Sequence, residues 1–98
     1  MKIVTINNKP VEVKPIDFQA ICELEDLGFD INSLSKKSFT TMRCAVAYNM
    51  NISLQEASTE IENHIKNGGK LDDLVPFIEA ILQSDFFTAL AKETKNKN

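Results

Sequence analysis

The sequence predicts a mostly helical α+β domain, an N-terminal β-hairpin packed on a compact bundle of four to five helices. Three observations carry that expectation. Residues 2–14 hold two short β-branched runs around an asparagine-rich turn. From residue 18 onward, apolar residues recur at helical spacing. Boundary residues (Asp17, Gly28, Ser53, Gly68, Pro76 and Ser84) punctuate the apolar stretches where helices start and stop. The chain has 98 residues, 43% hydrophobic and 26% charged, which suits one domain with one core. That domain is expected over residues 1–92, with a disordered basic and polar tail over 93–98, where no apolar anchor occurs.

The hairpin is formed by Lys2-Ile3-Val4-Thr5-Ile6 and Val11-Glu12-Val13-Lys14. Asn7-Asn8-Lys9-Pro10 supplies the turn, since asparagine tolerates positive φ. Pro10 lacks a donor and belongs at a strand start or edge. Pro15 ends the second strand. Asp17 then caps a helix carrying Phe18, Ile21, Cys22, Leu24 and Leu27, with Gly28 as its C′ residue. This apolar arc is wide enough for two neighbours. Residues 29–37 form a connection anchored by Phe29 and Ile31.

Residues 38–50 are the most apolar stretch and predict the central helix. Phe39, Met42, Ala45, Val46 and Met50 share one face, while Arg43, the threonines and Asn49 are expected to meet water. After Asn51-Ile52, Ser53 and Glu56 form a capping box. The helix that follows places Leu54, Ala57, Ile61 and Ile65 on one side and Glu56, Glu60, Glu62 and Lys66 on the other. Gly68-Gly69 ends it. A further helix starts near Asp72 or Asp73, with Pro76 in its first turn and a stripe of Leu71, Leu74, Val75, Ile78, Ile81 and Leu82. Ser84 caps a last segment, Asp85 to about Lys92, holding Phe86, Phe87 and Leu90.

The chemical inventory is thin. His64 is the single histidine, expected to be partly solvated near Glu60. Cys22 and Cys44 lie in apolar helical patterns and read as free thiols, and no four-ligand zinc spacing exists. No nucleophile elbow or phosphate-binding glycine loop is present. The carboxylates Glu23, Glu25 and Asp26 read as a solvated helix face, and Asp72 and Asp73 as a cap. No catalytic residue, metal or cofactor is therefore expected. The run has no membrane-length apolar segment and no signal-peptide core, so a cytoplasmic protein is expected.

Two function classes remain, a protein-binding module and a helix-turn-helix regulator of DNA. Helices over 38–50 and 54–67 joined by a three-residue turn match helix-turn-helix spacing. Charge opposes that reading. The net charge is −3, and the recognition helix would present Glu56, Glu60 and Glu62 to phosphates. Nucleic acid is not the expected partner. For protein binding, Phe86-Phe87 stands out, because adjacent helical residues point about 100° apart: either one packs inward and the other is left as an anchor for a partner, or bending of the short segment buries both. Phe86, Phe87 and Leu90 are the candidate partner-binding residues.

The order of elements resembles the tail assembly chaperones of long-tailed bacteriophages (siphoviruses), of the type found in phages and prophages of Gram-positive hosts. The resemblance spans residues 1 to about 90. It runs through Lys2-Ile3-Val4-Thr5-Ile6-Asn7-Asn8-Lys9, then Phe18-x-x-Ile21-Cys22-x-Leu24-Glu25-x-Leu27-Gly28, then Glu56-Ala57 with Ile61-Glu62. It continues with Gly68-Gly69-Lys70-Leu71-x-x-Leu74 and Ser84-x-Phe86-Phe87. The resemblance implies a small α-rich protein that acts in the host cytoplasm and is absent from the mature virion. It would bind the tape measure protein and keep it soluble while tail tube protein polymerises around it. A longer, frameshifted form occurs in many such phages, and the family contributes no catalytic residues.

Overall fold

The computed structural model describes residues 2–30 and 39–96, with residues 91–96 described by their backbone alone. Strands β1 (Ile3–Ile6) and β2 (Lys9–Glu12) pair antiparallel, with Val4 opposite Val11 and Ile6 opposite Lys9. The turn between them is Asn7-Asn8, both at positive φ (52° and 64°), the twist a two-residue hairpin prefers. Lys9, expected in the turn, opens β2, and Pro10 lies on this edge strand as expected. Pro10 faces Thr5. The Val13 N–H donates to the Lys2 carbonyl, so bonded pairs alternate and Pro10 falls at a site that needs no donor. Val4 and Ile6 are buried while Ile3 and Thr5 face out.

Helix α1 (Phe18–Asp26) starts as expected, with Asp17 Oδ1 accepting the Ala20 N–H. It ends at Gly28 (φ 105°), where the Phe29 N–H reaches the Leu24 carbonyl and the Gly28 N–H the Glu25 carbonyl. The same closure recurs at Asn51 (φ 58°) after α2 (Phe39–Met50) and at Gly68 (φ 95°) after α3 (Leu54–Lys66). The Ser53–Glu56 capping box opens α3.

A 3-10 turn (Leu71–Leu74) precedes α4 (Val75–Leu82), so the helical backbone begins before Asp72 and Asp73. Asp73 does not cap from the front; its Oδ2 accepts the Lys70 N–H from inside the turn. Ser84 Oγ accepts the Phe87 N–H at the start of α5 (Asp85–Asn96). That helix passes its expected end at Lys92, because residues 92–96 include no glycine or proline to stop it. Residues 97–98 lie outside the described residues, as do Ile31 and the whole 31–38 stretch.

Helix α2 is the hub, packing on α3, α4, α1 and β2. Val46 is fully buried within it. Its polar residues depart from expectation. Thr41 and Asn49 are buried rather than solvated. Asn49 Oδ1 accepts the Lys14 N–H and Nδ2 donates to the Ala45 carbonyl, so the buried amide ties the hairpin exit to the hub. Phe39 leaves the expected face and is 76% exposed, since it stands in the first turn, beyond the packed length of the helix. Phe77, outside the expected α4 stripe, is fully buried, whereas Leu82 is exposed.

Candidate partner-binding surface

The residues singled out near the C-terminus come together with one from the other end of the chain. Phe86 and Phe87 are both half-buried, and their rings meet edge-on at 5.7 Å. The Phe86 ring also meets Phe18 of α1 at 5.6 Å, with an interplanar angle of 62°. Such edge contacts match the quadrupoles of the rings. Leu90 is half-buried one turn further along α5. The cluster therefore takes two helices, with Ser84 setting the start of α5 and Asp17 that of α1.

Phe18 is the member that sequence pattern misplaced. It is 64% exposed, while Ala20, Ile21 and Leu24 take the buried face of α1. A helical projection gives the signal, since Phe18 lies about 110° from the centre of that buried face. The outcome is an aromatic ring presented to solvent, backed by two others that lean on the core.

A second constellation is polar. His64, expected at the solvent boundary, is 8% exposed and sits between the hairpin turn and the 3-10 turn. The Asn7 backbone N–H donates to its Nδ1 at 3.2 Å. The ring proton therefore sits on Nε2, which faces Asp73 Oδ2 at 3.0 Å. Asn7 Nδ2 donates to the Glu60 carbonyl and carboxylate, and the Lys9 ammonium meets Glu60 Oε2 at 2.6 Å. These bonds hold the Glu60 carboxyl below its ordinary range, the Lys9 bond first and the Asn7 bond next. Asp73 is lowered likewise, chiefly by the Lys70 N–H and then by His64.

An open polar cleft of about 820 Å³ borders this node, lined by Asn7, Lys9, Glu60, Asn63, His64 and Asp73 among others. Both imidazole nitrogens are engaged within the protein, so the ring has no free lone pair to accept a substrate proton. The arrangement clamps the hairpin turn onto α3 and the 3-10 turn. At the hairpin's other end Lys14 reaches α2 through Asn49 and lies over the Tyr48 ring at 4.9 Å.

Cys44 is buried, its thiol pushed up by burial with Arg43 acting in the opposite sense, and its Sγ lies 3.5 Å from the Leu27 carbonyl. Cys22 is half-buried. Both are free. Among the described residues, no three His, Cys, Asp or Glu side chains converge as metal ligands would, and no helix is long and apolar enough to cross a membrane. The chain matches no protein-family model, no curated protein and no solved structure.

Proposed function

We propose that this chain is a tail assembly chaperone of a long-tailed bacteriophage, a non-enzymatic protein of the host cytoplasm that leaves before the virion matures. It binds the long apolar helices of the tape measure protein and keeps them soluble until tail tube subunits polymerise around them. The observation that carries the reading is the Phe18–Phe86–Phe87 cluster, an exposed ring braced by two half-buried ones. The order and spacing of the residues quoted above supports the family part of the reading. A braced aromatic offers apolar area with little rotamer entropy to lose, as anchors of protein interfaces do. The helix-turn-helix alternative has less support, because Glu56 and Glu62 lie exposed on α3 where phosphates would approach.

The test is a search of the gene neighbourhood for a very long helical tape measure protein, followed by co-purification of this chain with it. Truncating an interface aromatic costs about 2–4 kcal/mol, or roughly 30- to 1,000-fold in affinity. Phe18→Ala is the clean variant, since its ring is mostly outside the core. Phe18→Ala with Phe86→Ala should abolish co-purification while circular dichroism reports a folded chain. Normal binding by the folded double variant removes the cluster as the docking site.

A further inference from the structure

Helices α2 and α4 enclose an apolar groove of about 330 Å³, separate in its lining from the aromatic cluster. Buried Met42 and Ile78 form its floor, and half-buried Leu71 and Val75 its walls. Its rims are large apolar side chains left in water, Phe39 at 76% and Leu82 at 44% exposure. Among the described residues, the charged ones lining it are Asp72 and Glu79, both acidic.

Spacing makes these features one surface. Leu71, Val75, Ile78 and Leu82 follow each other at intervals of four, three and four residues, a stripe about three turns long. Asp72 and Glu79 are seven residues apart, which brings both to one edge of the stripe, about 11 Å apart along the axis. A helix laid along the stripe spans that distance in about seven residues of its own. We propose that this groove docks an amphipathic helix of a partner protein, with its apolar stripe edged by Lys or Arg about two turns apart. The apolar groove supplies area and the acidic edge selects sign and register, the helix-in-groove mode with charge complementarity. The proposal does not rest on the phage assignment, and its residues are not those tested there.

Two 14-residue capped peptides serve as probes, one of Leu and Lys and one of Leu and Glu, both with leucine at helical spacing. Fluorescence anisotropy should show saturable binding of the Leu/Lys peptide and at least tenfold weaker binding of the Leu/Glu peptide. Phe39→Ser should weaken the former at least tenfold with the melting curve unchanged. Asp72→Lys with Glu79→Lys should reverse the preference. Glu25→Lys with Asp26→Lys changes net charge equally on the exposed end of α1 and should leave the preference intact. Amide shifts should map to α2 and α4. Absence of saturable binding, reversal by the α1 control pair, shifts that map elsewhere, or a homodimer abolished by Phe39→Ser would each overturn the proposal.

Discussion

Gly69→Ala is the sharpest probe of the polar node that clamps the hairpin. A Cβ built on Gly69 lies 2.6 Å from both Cδ2 and Cε1 of His64 and closer still to Nε2. The neighbour is a buried ring held at both nitrogens, so it cannot yield without breaking its bonds. Displacing it forfeits the Asn7 bond and the contact with Asp73, and overpacking a close-packed site of this kind typically costs about 1–3 kcal/mol. Against this, alanine stiffens the unfolded chain by about 0.4–1 kcal/mol. The middle of these ranges gives a net loss of about 1.3 kcal/mol, or roughly 5–10 °C in Tm for a domain of this size. Thermal melts of Gly69→Ala alone and in a His64→Ala background form the assay. In the second background the clash is gone, so the substitution should cost nothing. Equal costs in both backgrounds, or a neutral single variant, would refute the packing described for His64.

Four further outcomes can be measured directly. Val46→Asp places a carboxylate in the fully buried centre of α2 and should unfold the domain, seen as loss of helical circular dichroism. Ser53→Ala removes the capping box of α3 and should lower stability by about 0.5–2 kcal/mol in urea titrations. Glu60 and Asp73 are lowered in the folded state, so the stability they add is complete above the ordinary carboxylate range and is lost as pH falls through their lowered values. Tm should therefore fall in acid, below the ordinary carboxylate range, and the fall should be shallower in Glu60→Gln. Reducing agent should leave Tm unchanged, and a thiol reagent should modify half-buried Cys22 well before buried Cys44.

Elements governed by local rules were legible in the sequence. The asparagine turn, the Asp17 cap, the Ser53–Glu56 box and the closures at Gly28 and Gly68 all follow from backbone chemistry within a few residues. What escaped depends on partners distant in the chain. Asn49 is polar and yet buried, because the acceptor for the Lys14 N–H must come from α2. His64 is buried because Asn7, 57 residues earlier, and Asp73 each supply a partner for its ring. Ile65, which shares the apolar pattern of α3, is left at the surface instead. For the candidate site, Phe86 and Phe87 were visible as an adjacent aromatic pair, but both lean half-buried on the same core rather than one of them standing in solvent. The outward turn of Phe18 can be read from the helical projection of α1, but its meeting with Phe86 cannot, because that contact joins residues 68 apart in the chain.

The central claim is that this chain holds an apolar helical protein in solution. The measurement is the fraction of tape measure protein left in the supernatant after high-speed sedimentation, with and without the chain co-expressed. The account predicts that the tape measure protein pellets alone, stays soluble with the wild-type chain, and pellets again with Phe18→Ala and Phe86→Ala together. A tape measure protein that pellets to the same extent in the presence of the folded wild-type chain would contradict it.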